Sequence, residues 1–121
     1  MANEATISVS LKFEKGGVSA SYSKGGLQVD VSGSKFVDLV QEIGTSEEQL
    51  DFGDVTTPGY VVFENLDSTN YIEIRPGTGV ADLVRLNAGE VAVFRLAADA
   101  TAPYAMANTA ACNLRMLLLE N

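Results

Sequence analysis

The chain has 121 residues, of which 46% are hydrophobic and 20% charged, a composition typical of one folded domain rather than of a disordered segment. It contains no His and one Cys, which excludes His-based acid–base catalysis, His-ligated metal sites and Ser–His or Cys–His nucleophilic pairs. The net charge of −8 repels phosphate and anionic lipid, so neither nucleic acid nor a membrane is expected as a partner.

The N-terminal segment has the pattern of short strands joined by tight turns. Residues 6–13 alternate strictly between polar and apolar side chains, and alternation returns at 18–22 and 27–31. A Lys-Gly-Gly sequence follows each of the first two runs, and Gly accepts the positive φ that hairpin turns need. Residues 1–35 are therefore expected to form a three-stranded hairpin meander.

Residues 35–43 fit two patterns. Phe36, Val37, Val40 and Ile43 would form a helical stripe, whereas Val37, Leu39 and Ile43 would share one face of a strand. No good N-cap residue is followed by an acid three positions later, so a strand is favoured and a helix stays open.

The middle of the chain predicts two loops. The first spans residues 44–48, where one short helical turn is the alternative because Ser46 could cap it. The second spans residues 53–59, because Thr57-Pro58-Gly59 interrupts regular structure.

The rest of the chain reads as further short strands separated by turns. The Ala-rich segment 97–111 includes Pro103 together with Thr and Asn, so we expect a loop there rather than a helix. Strands are expected at residues 60–66, 71–75, 80–86, 91–96 and 112–118.

Eight or nine short strands at a spacing of 8–12 residues predict an all-β fold. We expect an antiparallel β-sandwich or a jelly-roll-like barrel with little helix, a partly open barrel being the alternative. The domain organisation expected is a single β domain over residues 1–121, with the meander of 1–35 and the strands of 36–121 in the same core. The polar residues 1–4 predict no signal peptide, and no apolar run is long enough for a membrane span.

Acidic side chains are the first candidates for chemistry. Glu47, Glu48, Asp51 and Asp54 could offer oxygen ligands to Ca²⁺, but they lack the alternating spacing and closing Glu of a calcium loop, so a solvated acidic loop is favoured. A glycosidase-like pair of carboxylates stays possible, although so short a chain leaves little room for a cleft.

Other motifs predict structure rather than chemistry. Asn87-Ala88-Gly89-Glu90 is similar to a turn of cupin barrels, whose metal site needs the His that this chain lacks, so we interpret it as a turn. Cys112 lies in an alternating run and is interpreted as a small buried residue. The sequence thus predicts no catalytic, cofactor-binding or metal-binding residue, and a protein that is not an enzyme.

The four Tyr residues allow two interpretations. Tyr gives a large contact area with a polar tip, so these residues could form a sugar-binding or protein-binding surface. The alternative, favoured for any one of them, is a position at the edge of the core with the hydroxyl in water. The residues are Tyr22, Tyr60, Tyr71 and Tyr104.

A set of turn motifs resembles small structural proteins of tailed bacteriophages. In those proteins an Asn-Leu-Asp turn precedes one strand and an Ala-Gly-Glu turn precedes the next, as at residues 65–67 and 88–90 here. The resemblance covers roughly residues 37–119, and its further motifs are Gly44-Thr45-Ser46-Glu47-Glu48, the segment 53–60, the segment 68–74 and Leu86-Asn87.

The resemblance implies a virion component, made in the cytoplasm of a bacterial host. The role expected from it is a head decoration (cement) protein that binds the major capsid protein or another virion protein and acts as a homo-oligomer, a trimer being favoured. The alternatives are a tail-associated or fibre-associated protein, or a carbohydrate-binding or receptor-binding β-sandwich module.

Overall fold

A computed structural model describes residues 3–121, and it divides the chain into two compact units, Met1–Ser32 and Gly33–Asn121. The clustered core residues of the described chain all belong to the second unit. The first unit is a two-stranded sheet whose pairing partners lie within that unit. The expectation of one core shared by residues 1–121 stays a prediction. Met1 and Ala2 lie outside the described residues. They belong to the polar segment 1–4, from which no signal peptide was expected.

The first unit is an antiparallel hairpin of β1 (Ala5–Lys15) and β2 (Val18–Val29). Gly16 and Gly17 connect the strands with φ angles of +58° and +81°. Positive φ at both central residues belongs to the two-residue turn that matches strand twist, and only Gly adopts it readily. The hairpin turn predicted at the first Lys-Gly-Gly is confirmed.

The second Lys-Gly-Gly does not form a turn. The pairing changes register there, since Ile7 faces Leu27 whereas Val9 faces Lys24, so β2 has one more residue than β1 in that interval. Gly26 has φ +66° and donates its N–H to Ser8 Oγ at 3.1 Å. The three-stranded meander is therefore wrong: a positive-φ Gly serves a β-bulge as well as a turn, and β1 is long enough to pair on both sides of it.

The second unit consists of eight strands in two four-stranded antiparallel sheets. The first sheet has the order β3-β10-β5-β8, and the second has the order β4-β9-β6-β7. The strands are β3 (Phe36–Ile43), β4 (Glu48–Gln49), β5 (Pro58–Asn65), β6 (Ile72–Arg75), β7 (Val84–Leu86), β8 (Val91–Arg95), β9 (Tyr104–Ala107) and β10 (Cys112–Glu120).

The connections give the topology of a jelly roll. Every link between consecutive strands of this unit passes from one sheet to the other, except the hairpin link from β6 to β7. The first and last strands, β3 and β10, are neighbours in one sheet, as in two interlocked Greek keys. The predicted all-β antiparallel fold is confirmed, and of the two forms expected, a β-sandwich or a jelly-roll-like barrel, the structure has the sandwich. The described residues form ten strands rather than the eight or nine expected. Residues 3–121 contain no helix that is long and apolar enough to cross a membrane.

Several predicted boundaries change in the structure. Residues 36–43 form a strand, as favoured over a helix. The predicted strand 80–86 is reduced to β7, while the predicted loop 97–111 contains β9. Ala105 and Ala107 on β9 are fully buried opposite Ile74 and Ile72, so pairing and burial outweigh the weak strand propensity of Ala.

The core lies between the two sheets and is built by alternation along the longer strands. Val61 and Phe63 of β5 point inward with less than 1% of their surface exposed, and Phe63 packs at 5.9 Å from the Phe94 ring. Each fully buried large apolar side chain stabilises the fold by about 1.5–3 kcal/mol. The other fully buried large side chains are Ile43, Ile72, Leu114, Met116 and Leu118.

Asn65 at the end of β5 is the buried polar side chain of the described core. Its Nδ2 donates to the carbonyls of Asn70 at 2.9 Å and Leu86 at 3.0 Å, and its Oδ1 accepts the N–H of Asp67 at 2.9 Å. Because Leu86 belongs to β7, one side chain connects the first sheet to the second and fixes the 66–71 loop.

Asp67 organises the same loop. Its Oδ2 accepts the N–H groups of Asn70 at 2.7 Å and Thr69 at 2.9 Å. These backbone hydrogen bonds, that of Asn70 first, lower the pKa of the Asp67 carboxyl below its usual range. Folding therefore favours the ionised form of this side chain.

Replacement of Asn65 should be costly. Asn65→Ala leaves the buried Leu86 carbonyl, the part-buried Asn70 carbonyl and the Asp67 N–H without their partner, and we expect a loss of about 3 kcal/mol in the free energy of unfolding. Urea denaturation followed by circular dichroism measures it. Asn113→Ala, an outward position on β10, is the matched control and should change stability by less than about 0.5 kcal/mol. Equal losses in both variants would contradict the role of Asn65.

Replacement of Asp67 should flatten the acid dependence of stability. A carboxyl with a lowered folded pKa contributes stability above its unfolded pKa of about 4, and that contribution is lost as the pH falls through the folded pKa. Asp67→Asn keeps one side-chain oxygen that can accept these hydrogen bonds, but it does not titrate. Urea midpoints measured from neutral pH into acid should fall less steeply for the variant than for the wild type; parallel profiles would refute this.

Candidate interaction surfaces

The outer face of the β3-β10-β5-β8 sheet is the first candidate site. A sandwich sheet with one face in solvent normally alternates apolar inside with polar outside. Here four outward apolar side chains have between 42% and 65% of their surface exposed, namely Phe36, Val40, Val91 and Val93. Half-buried neighbours on the same face are Tyr60, Val62, Leu117 and Leu119.

Strand register brings these side chains together into rows across the sheet. Leu117 of β10 lies between Asp38 of β3 and Val62 of β5, and Val62 in turn faces Val93 of β8. The row thus reads Asp38, Leu117, Val62, Val93, so the apolar surface is continuous over three strands. We call this surface the outer apolar face.

Charged side chains also lie within the outer apolar face. Arg115 of β10 faces Val40 on one side and Glu64 on the other, and Glu64 faces Val91. Arg115 donates from Nε to Asp38 Oδ1 at 3.2 Å and from an Nη atom to Oδ2 at 3.1 Å, a two-bond geometry that fixes both side chains. The hydrogen bond with Asp38 raises the pKa of Arg115, so the guanidinium stays charged. A partner surface would meet this fixed charged group between the apolar side chains of the face.

The outer face of the other sheet differs in character. Glu73 of β6 and Arg85 of β7 lie opposite each other and pair at 3.2 Å. The guanidinium of Arg85 also lies 3.6 Å from the centre of the Tyr71 ring. On this face Met106 lies opposite Glu73, and Tyr104 lies opposite Arg75. No row of large exposed apolar side chains like Val91 and Val93 is found on the described strands of this sheet.

The hairpin unit has an apolar face of its own. Residues on β1 and β2 that lie directly opposite each other share a face, as Leu11 does with Tyr22 and Phe13 with Ala20. The large side chains on this face with between 44% and 69% of their surface exposed are Val9, Leu11, Phe13, Val18 and Tyr22. The opposite face is formed mainly by Ser, Thr, Lys and Glu side chains.

A cleft of about 340 Å³ opens between the two sheets of the sandwich. Phe63 and Phe94 of the first sheet and Ile74 and Val84 of the second line it, with Leu83 at 76% exposure among the lining residues. Most of the lining is apolar, and Arg75, Asp99 and Thr101 also contribute to it.

The predicted acidic loop is dispersed into separate contacts. Glu47 pairs with Arg75 at 2.9 Å, Glu48 accepts the N–H of Gly44, and Asp51 accepts the N–H of Gly53. Among residues 3–121 no group of three or more acidic or Cys side chains is placed to hold a metal ion.

Arg75 is the centre of an ion-pair cluster. Its Nη atoms bind Glu47 at 2.9 Å and Asp82 at 2.6 Å, and its side chain is only 13% exposed. Burial lowers the pKa of Arg75, but the hydrogen bonds and charges of the two acids outweigh burial and raise it. Glu47 also accepts the N–H of Gly79. The cluster therefore joins β6 to the loop before β4 and to the loop between β6 and β7.

The remaining sequence candidates have structural positions. Gly89 lies in a turn between β7 and β8, where Glu90 donates its N–H to the Asn87 carbonyl. Cys112 is buried, as interpreted, and its burial raises the pKa of the thiol. Tyr60 lies beneath Arg95 and Tyr71 beneath Arg85, so guanidinium groups cover two of the four rings that were candidates for a sugar-binding surface.

Sequence reasoning missed the outer apolar face. The signal for it lay in β8, where Val91 and Val93 alternate with Ala92 and Phe94, so that both faces of the strand are apolar. A strand apolar on both faces inside a two-layer sandwich must expose one of them.

No family model matches the chain, and no curated protein or solved structure matches it significantly.

Loss of the Arg75 guanidinium should destabilise the sandwich. Arg75→Met keeps the aliphatic length but leaves Glu47 and Asp82 unpaired in a partly buried position, and we expect a loss of about 2 kcal/mol. Thermal and urea unfolding measure it. Arg85→Met removes the half-exposed pair with Glu73 and serves as the control, with an expected loss below about 1 kcal/mol. A larger loss in the control would contradict the role of the cluster.

Proposed function

We propose that the chain is a structural protein of a tailed-phage virion, of the head-decoration type, and that it binds the major capsid protein or another shell protein. The observation that carries the proposal is the outer apolar face. Exposed apolar surface on a folded protein marks an interaction site when it is contiguous and bordered by polar groups.

The chemistry of the outer apolar face suits a protein partner. Its apolar row of Leu117, Val62 and Val93 supplies burial. The Asp38–Arg115 pair supplies fixed hydrogen-bonding groups within the same face. A shell lattice presents the same partner surface many times, so a modest contact at each copy suffices for stable decoration.

The fold is compatible with the proposal. Jelly rolls occur in viral capsid domains and also in lectins and cupins, so the fold alone does not identify the functional class. The proposal therefore rests on the outer apolar face. Self-association into a symmetric oligomer belongs to the same proposal, because symmetric lattices favour symmetric ligands.

The experiment is detection of the chain in purified particles. Antibodies raised against it should label density-banded phage particles from the source culture at many copies per particle, and the labelled protein should band with the shell. Its presence in the lysate together with absence from the banded particles would overturn the proposal.

Surface variants then assign the contact. In particles that lack the chain, added wild-type protein should bind, whereas Val91→Thr with Val93→Thr should bind at least tenfold more weakly, because Thr keeps the strand but removes apolar contact. The matched control changes the facing pair of the other sheet, Glu73→Thr with Arg85→Thr, and should bind like the wild type. Equal weakening in both would remove the outer apolar face as the contact.

A further inference from the structure

Strand β8 is an edge strand of its sheet, and it lacks the features that protect the other edge strands of the sandwich. An edge strand exposes unpaired backbone groups, which folded proteins protect by keeping the strand short or by placing charged side chains on it. Strands β4 and β7 have two and three residues, and β3 carries Asp38 and Glu42 on its outward side. Strand β8 is apolar over residues 91–94. Its one charged residue, Arg95, lies over the Tyr60 ring of β5 and so away from the free side.

The backbone of β8 has hydrogen-bonding groups along its free side. The Leu96 N–H donates to the Gly59 carbonyl at 2.9 Å. Hydrogen-bonded and non-hydrogen-bonded pairs alternate along an antiparallel pair, so the N–H and carbonyl groups of Val91, Val93 and Arg95 point away from β5. Within residues 3–121 no strand pairs with β8 on that side. The free side can therefore receive the backbone of an added strand at three successive positions.

The inward side of β8 borders the cleft between the sheets. Phe94 and Leu96 line the cleft from the β8 side, and Leu83 and Val84 line it from the β7 side. Because β7 and β8 are both edge strands, the cleft lies where neither sheet continues. Its volume of about 340 Å³ falls within the range of ligand pockets. Side chains of a strand alternate between the two faces, so every second side chain of a strand added to β8 would point into this cleft.

The apolar character of β8 on both faces has the same explanation. A strand with one face in solvent normally alternates apolar and polar side chains, whereas a continuous apolar run is typical of a strand that is covered on both faces. An added strand would fill the cleft with one set of its side chains. Its other set would lie beside Val91 and Val93 and extend the outer apolar face.

We propose that β8 binds an extended segment of a partner protein as a fifth strand of its sheet. Backbone hydrogen bonds supply affinity in this mode of recognition, and the side chains seated in the cleft supply specificity. The segment is apolar at successive positions, because it meets an apolar surface on both faces. Basic residues flank it, because Glu90 precedes β8, Asp99 lines the cleft and the chain has a net charge of −8.

A second copy of the chain fits the free side of β8 less well. If two β8 strands paired, the inward side chains of each would point into its own sandwich, and both clefts would stay unfilled. The pairing would also bring two net charges of −8 together. A dimer of the free chain that dissociates when a peptide binds would identify a second copy as the natural occupant and overturn this choice of partner. Sedimentation equilibrium should instead give the mass of one chain whenever β8 alone is available for contact.

Synthetic peptides and the purified full chain test the proposal without any particle. This goes beyond the proposed function, and either can fail while the other holds. The probes are three blocked peptides in which Lys-Thr pairs flank a run of Val alternating with Leu, Ile or Phe. At least one should bind with a Kd below about 1 mM in isothermal titration calorimetry. Absence of saturable binding for all three would overturn the proposal.

Amide hydrogen exchange measured by NMR locates the bound peptide. Exchange of the Val91, Val93 and Arg95 N–H groups should slow at least tenfold, because they gain acceptors. The Ala92 N–H, which points towards β5, and the Val40 N–H on the free side of β3 should change less than twofold. Slower exchange along β3 as well, or along neither strand, would contradict strand addition at β8.

Proline substitutions compare the two edges of the same sheet. Val93→Pro removes an N–H that points away from β5, so the hydrogen bonds within the sandwich are kept, and we expect the peptide Kd to rise at least tenfold. Val40→Pro makes the same change on the free side of β3 and should leave the Kd within twofold. Circular dichroism establishes that both variants fold. Equal effects in the two variants would overturn the proposal.

Leu83 tests the cleft independently of the β8 backbone. Its side chain is 76% exposed, so Leu83→Ser should leave the core intact while it removes an apolar contact from the cleft. We expect the Kd of the Phe-containing peptide to rise at least threefold. Val80→Ser changes an exposed residue of the same loop that does not line the cleft and is the matched control. Equal Kd values for the two variants would overturn the seating of side chains in the cleft.

Discussion

Alternate residues of β5 and β10 point into the space between the two sheets, and the sandwich depends on their burial. These strands lie at the centre of the first sheet, so their inward side chains contact the second sheet along its length. Asn65 ends β5 at the point where the chain leaves that sheet, and its hydrogen bonds to Asn70 and Leu86 fix the crossing. Apolar burial thus supplies the free energy, and one buried amide sets where the sheets join.

The outward side chains carry the functional argument. A two-layer sandwich needs only one apolar face on each sheet, and the β4-β9-β6-β7 sheet follows that rule with its Glu73–Arg85 pair outside. The first sheet exposes Val91 and Val93 instead. Those residues do not contribute to the core, so we propose that their apolar character serves contact with another protein.

The alternation of single strands could be predicted from sequence, and their partners could not. The alternating pattern and Gly16-Gly17 were enough to predict β1 and its turn. Gly25-Gly26 forms a bulge and not a second turn, because β1 is long enough to pair with β2 on both sides of it. Ala105 and Ala107 gave no strand signal in the sequence, but their segment forms strand β9 because it pairs with β6. The position of the outer apolar face depends on which side of β8 is buried. Because both sides of β8 are apolar, the sequence does not determine which side that is.

The central claim is that the outer apolar face binds another protein of the particle. A photo-reactive amino acid at position 93 on that face, compared with one at position 73 on the other sheet, tests it most directly in decorated particles. The account predicts a covalent product between position 93 and a shell protein, and none from position 73. A product from position 73 alone would contradict it.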